Sequence, residues 1–182
     1  MSIRKISLIS LFCGILCILV YVIPPIPLFS TGVNFTVQTM LVVLFGLMLK
    51  PRDGLVALLL YLIIGVIGLP VFSGKIGGLG VILGPTGGFL VYFPLGVFLV
   101  GIAREKIKNI YFLFLTVILI MIVGLYSFSI LWYGINTNNF NYIGILFSFL
   151  PFVLVDILKI ILAIAIYKVL PKDFLEEFQL IK

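Results

Sequence analysis

Residues 65–101 read GVIGLPVFSGKIGGLGVILGPTGGFLVYFPLGVFLVG. Pro70 and Pro85 bracket a glycine-dense turn, and on either side of it lie hydrophobic runs long enough to cross a bilayer. Backbone that is not helical at membrane depth must be buried in protein or line a cavity, because lipid cannot satisfy exposed N–H and C=O groups. This turn is neither short nor polar, since it carries Phe72, Ile76, Leu79, Val81, Ile82 and Leu83. It therefore reads as a re-entrant or outer loop folded back on the protein, one wall of a small-molecule site.

Composition agrees with a membrane setting. Of 182 residues, 63% are hydrophobic and 10% charged, against roughly 25% charged in soluble domains. A water-soluble fold is excluded in practice, and a polytopic all-α membrane protein is the class that remains. No hydrophilic stretch is long enough for a second domain, so residues 1–182 are expected to form a single membrane-embedded substrate-binding domain. The formal charge of +6 does not mark a nucleic-acid partner, because the basic residues gather at the ends of apolar segments. The chain has no histidine, which removes imidazole acid–base catalysis and the common histidine metal sites.

Six apolar segments are expected to be transmembrane helices, at about 6–23, 35–49, 54–68, 87–103, 110–133 and 144–170. The glycine loop falls between the third and fourth. Arg4, Lys5, Lys50, Arg52, Arg104, Lys106, Lys108, Lys168, Lys172 and Lys182 all fall on one side of that arrangement. Lys75 lies in a loop on the other side, and Lys159 inside the last segment. The positive-inside rule then places both termini in the cytoplasm and the glycine loop outside.

Asp156 and Lys159 form an ionisable pair within an apolar segment, and their spacing of three puts them on one helix face. Isolated charges there cost roughly 2.5–3.5 kcal/mol each on insertion scales, so such residues face a cavity or each other. A lysine suits a carboxylate and an aspartate suits N–H donors, and together they fit a ligand with an acidic tail and an amide or urea head. The other reading is a structural ion pair that only neutralises itself. Pro151 is expected to bend or restart that helix. The glycines at 77 and 78 permit close backbone approach, and a helix beginning near Thr86 offers free N–H groups beside the Thr86 hydroxyl. Nucleotide motifs fail on spacing: Gly74-Lys75 is followed by Ile76, and GLGVIL lacks a third glycine.

On the first segment, Ser7, Ser10, Gly14 and Cys17 form a stripe of small residues. Such a groove admits either a helix of the same chain or a partner helix. Cys13 and Cys17 are four apart, which is not a metal or redox spacing, and they are expected to be small packing residues.

With these residues in place, the chain resembles the BioY family, the biotin-specific substrate-binding (S) components of energy-coupling-factor (ECF) transporters. The likeness runs from FTVQTM through GLPVF, the paired glycines and GPTGG, and resumes at PFVLVDILKIILA. It implies six helices and a biotin site near the outer face, with no cofactor. Asp156 and Lys159 match the family's D-x-x-K motif, so the resemblance assigns them to substrate binding, together with Thr86, Gly77, Gly78, Ile76 and Phe89. Phe89 stands where the family usually has Tyr. Ser10 and Gly14 occupy the place of the family's small-residue docking motif. The implied partners are a transmembrane coupling subunit and two ABC-type ATPase subunits, in a bacterial cell membrane. The expected function is biotin capture from the outer face and inward delivery, without enzymatic activity. An S component for another vitamin is the alternative. An intramembrane enzyme is disfavoured because the spans hold one carboxylate and no histidine.

Overall fold

The computed structural model describes residues 3–23, 25–27, 34–171, 173 and 175. Lys172 and Lys182 of the basic set, Pro24 and residues 28–33 lie outside them. Among the described residues the regular structure is helical apart from one ribbon of two two-residue strands and an isolated bridge between Phe72 and Ile76. The elements are α1 (Ile3–Val22), β1 (Ile26–Pro27), β2 (Asn34–Phe35), α2 (Gln38–Met48), α3 (Pro51–Val66), α4 (Leu79–Leu83), α5 (Gly87–Lys106), α6 (Ile110–Ile118), α7 (Leu125–Thr137) and α8 (Tyr142–Val169). A π-helical turn, Leu119–Gly124, joins α6 to α7.

Four stretches, Ile3–Val22, Gly87–Lys106, Ile110–Thr137 and Tyr142–Val169, are long and apolar enough to cross a membrane. The protein is thus a multi-pass membrane protein with a helical fold. α2 and α3 are shorter, at 11 and 16 residues. α2 is nonetheless the centre of the bundle: Leu41, Val42, Val43, Phe45 and Leu47 are all buried, and it packs against α1, α5 and α8. The Phe12 and Phe45 rings meet edge to face at 4.8 Å, fixing α1 on α2.

Two sequence expectations are corrected in detail. The second helix starts at Gln38 rather than near residue 35, because residues 34–35 pair antiparallel with 26–27 and satisfy their backbone groups there. Pro151 does not restart the last helix, which runs unbroken through it.

The interruption that does occur, in the fifth segment, was not expected. Tyr92 of α5 donates its hydroxyl proton to the Ile120 carbonyl at 2.9 Å, and a side chain at Gly124 would collide with that hydroxyl. The widened turn frees a carbonyl that the tyrosine takes up.

Contacts define the two ends of the bundle. At one, Lys5 reaches Asp53 at 3.9 Å, and Arg104 Nε donates to the Leu47 carbonyl at 3.1 Å. The starts of α1 and α3 thus share an end with the close of α2 and α5. At the other, Lys75 of the glycine loop sits 4.8 Å above the Tyr21 ring.

Candidate ligand-binding site

The glycine loop is built on one buried ring. Phe72 donates its N–H to the Ile76 carbonyl at 3.0 Å, and Lys75 donates to the Phe72 carbonyl at 3.1 Å. This closes a tight turn in which Gly74 and Lys75 take positive φ of 86° and 58°. The Phe72 ring is 1% exposed and lies against Gly65, where any Cβ would collide with it. It also meets Tyr61 edge to face at 5.5 Å. The sequence therefore places an absent side chain on α3 opposite a large one in the loop, which pins the turn to the bundle.

Gly77 and Gly78 serve this fold rather than the cavity. A side chain at Gly77 would strike the Leu69 carbonyl, and Gly78, at φ 101°, donates its N–H to the Gly65 carbonyl at 2.6 Å. Neither lines the cavity. Beyond them α4 is a five-residue helix inside the loop, and α5 begins at Gly87 with Thr86 preceding it. Trp132 of α7 donates its indole N–H to the Gly84 carbonyl at 2.9 Å. Its Cβ lies where only a glycine at 88 leaves room, so α7 packs tightly on the start of α5.

Under this loop is a cavity of about 250 Å³, close to the lower end of small-molecule sites. Five of the seven substrate residues expected from sequence line it: Asp156, Lys159, Thr86, Ile76 and Phe89. The loop contributes Ser73 as well, and α2 contributes Gln38 and Thr39 from its first turn. An aromatic wall forms around Phe89, whose ring is 5.7 Å from both Tyr126 and Phe149. Phe152 continues that wall on α8.

The charged pair sits within this lining. Lys159 Nζ donates to Asp156 Oδ1 at 2.6 Å, and Tyr126 donates its hydroxyl proton to Asp156 Oδ2 at 2.9 Å. Asp156 and Lys159 are only 4% and 6% exposed. A carboxylate has lone pairs left after two such bonds and an ammonium carries three protons, so the cluster presents an accepting and a donating group together. The pair also acts at one place. A ligand with its head on Asp156 and its tail on Lys159 would have to part atoms 2.6 Å apart, whereas a urea group meets an acceptor and a donor side by side without parting them.

Sequence reasoning missed Tyr126, Gln38, Thr39 and Ser73. The adjacent polar pair at 38–39, at the start of an otherwise apolar helix, was a usable signal. Tyr126 had none, since it sits among other aromatics in a long apolar run.

On α1, Ser7 and Ser10 are exposed and Gly14 is partly exposed. A Cβ at Gly14 would meet nothing within 4 Å, so this stretch of the stripe faces away from the bundle. Cys13 and Cys17 are free thiols.

A model of the BioY family matches residues 1–175. Among curated proteins, a probable biotin transporter BioY from Pyrococcus horikoshii is 33% identical over 91% of this chain and 95% of its own length. The biotin transporter BioY2 of Lactococcus lactis subsp. cremoris is 35% identical over 87% of this chain and 85% of its own. Among solved structures, the S-component for biotin from an ECF-type ABC transporter superposes with a TM-score of 0.83 at 26% identity. That match covers 91% of this chain and 89% of the other.

Proposed function

The chain belongs to the BioY family, and on that premise we propose that it is the biotin-binding S component of an ECF-type uptake transporter. The observation that carries this reading is the buried Asp156–Lys159 pair lining a cavity of ligand size. In an apolar span a charged pair is costly to keep, and here it stands beside space and an aromatic wall.

The pair receives the ureido head of biotin. Asp156 accepts a ureido N–H while Lys159 donates to the ureido oxygen, and Tyr126 holds the carboxylate in place. Phe89 and Phe152 contact the apolar ring and tail, with Thr86 and Ile76 bordering the same space. Gly77 and Gly78 act indirectly, by giving the loop its shape. No cofactor takes part; biotin is cargo.

All 182 residues form one binding domain. Six helices cross the bacterial cell membrane, with both termini and most basic residues inside and the glycine loop outside. α2 and α3 complete the crossings although each is short. Biotin enters from the outer face, and the loaded protein docks through Ser10 and Gly14 on a transmembrane coupling subunit. Two ABC-type ATPases supply the energy for inward release. The exposure of that stripe supports a partner helix over internal packing.

Calorimetric titration of the purified chain with biotin, thiamine and riboflavin tests the assignment. Binding of biotin alone is expected. Equal or tighter binding of either other vitamin would overturn it.

A further inference from the structure

Gln38 opens α2, is 4% exposed and lines the cavity. Its Nε2 donates to the Tyr61 hydroxyl at 2.6 Å, and that hydroxyl donates to the Val71 carbonyl at 2.9 Å. The direction of this relay is forced. Val71 offers a carbonyl oxygen with no proton, so the single phenolic proton of Tyr61 is committed to it. The Tyr61 oxygen has only lone pairs left for Gln38, which must therefore present its NH2 and not its carbonyl. Tyr61 is itself fully buried and held against Phe72, so the relay does not rotate away. A planar amide that turns its nitrogen to Tyr61 turns its oxygen elsewhere, and no described group donates to Gln38 Oε1.

The ligand chemistry asks for such an oxygen. A cyclic urea carries two N–H donors, and a buried donor without an acceptor is costly. Among the described residues Asp156 is the one acidic side chain lining the cavity, and both of its oxygens already hold a donor, from Lys159 and from Tyr126. The hydroxyls of Thr39, Ser73 and Thr86 can rotate to donate or accept, so they do not discriminate. A locked amide carbonyl does.

We propose that Gln38 is a specificity-determining residue of this site: the Tyr61–Val71 relay fixes its amide so that Oε1 accepts one ureido N–H, the other being taken by Asp156. The assignment rests on the reading of the protein as a biotin binder. A site built to pair an N–H rejects analogues that lack it far more strongly than a merely apolar pocket would.

The test is calorimetric titration of the full chain, as wild type, Gln38→Met and Tyr61→Phe, with biotin and with the two biotins methylated singly on each ureido nitrogen. Gln38→Met is expected to weaken biotin roughly ten-fold. In that variant, methylation at one nitrogen should cost nothing further, while methylation at the other keeps its full cost. Tyr61→Phe, which frees the amide to turn, should shrink the same cost and leave the other. If both methylation costs are unchanged in Gln38→Met, the assignment is wrong, whatever happens to biotin itself. Should Gln38→Met not fold, unchanged costs in Tyr61→Phe overturn it equally. A wild-type protein that ignores biotin removes the functional reading and this assignment together; one that binds biotin with unchanged costs in the variants removes the assignment alone.

Discussion

Lys159 Nζ lies 2.6 Å from Asp156 Oδ1, one turn along α8, and both side chains border the cavity. On the proposed function a closed pair of this kind is a single recognition element, a donor and an acceptor offered side by side. Its cost in an apolar span is offset by the mutual attraction and by the Tyr126 bond to the second carboxylate oxygen.

If the pair holds the ureido head, the ligand's tail charge is of no concern to Lys159. Lys159→Met should then weaken biotin and its neutral carboxamide by the same factor, roughly ten- to a hundred-fold for a charge-assisted bond. Titration of both ligands checks this. A loss confined to biotin would mean that Lys159 takes the acidic tail and that the pair opens on binding.

Gly65→Ala puts a methyl group into the space of the Phe72 ring. Overpacking of this kind costs roughly 1–3 kcal/mol, and here the displaced ring also carries the turn with Ser73 and Ile76. A lower Tm in detergent and a faster release of biotin are expected together. An unchanged Tm with unchanged release would show that the Phe72 socket does not hold the loop.

Gly14→Leu fills open space on α1, so the isolated protein should bind biotin as the wild type does. Uptake by cells carrying the complete transporter should fall to background, because bulk on a small-residue stripe prevents close helix approach. Parallel loss of binding and uptake would make the stripe internal packing instead.

The helical segments were legible because each is a long apolar run closed by prolines, glycines, asparagines or basic residues. Asn109 and Asn141 indeed cap α6 and α8 with their side chains. The charged pair was legible for the same reason that it is costly: a charge in an apolar run stands out. What did not show was anything that depends on partners far apart in sequence. Tyr92 widening the helix at Ile120, Tyr126 bonding Asp156 across 30 positions, and Gln38 fixed by Tyr61 across 23 leave no local pattern. Glycines mislead in the opposite direction. Gly77 and Gly78 look like a ligand cradle, yet their close contacts are with the backbone of Leu69 and Gly65.

Orientation follows from single-cysteine labelling in a background without Cys13 and Cys17. Lys75→Cys should react with an impermeant maleimide added outside intact cells, and Lys108→Cys should react only after permeabilisation. Both side chains are exposed in the structure. The reverse pattern would place the cavity on the inner face and overturn the entry route.

The most direct measurement of the central claim compares biotin affinity in Asp156→Asn, Lys159→Met and the double variant. Each single change leaves a buried charge without its partner, which by itself harms a folded site. The double variant removes both charges, so whatever loss remains reflects contacts with the ligand. A ligand-binding pair predicts that the double variant stays at least ten-fold weaker than wild type, roughly one lost hydrogen bond or more, even with the unpaired charge gone. Recovery of near-wild-type affinity in the double variant would contradict the account and make the pair structural.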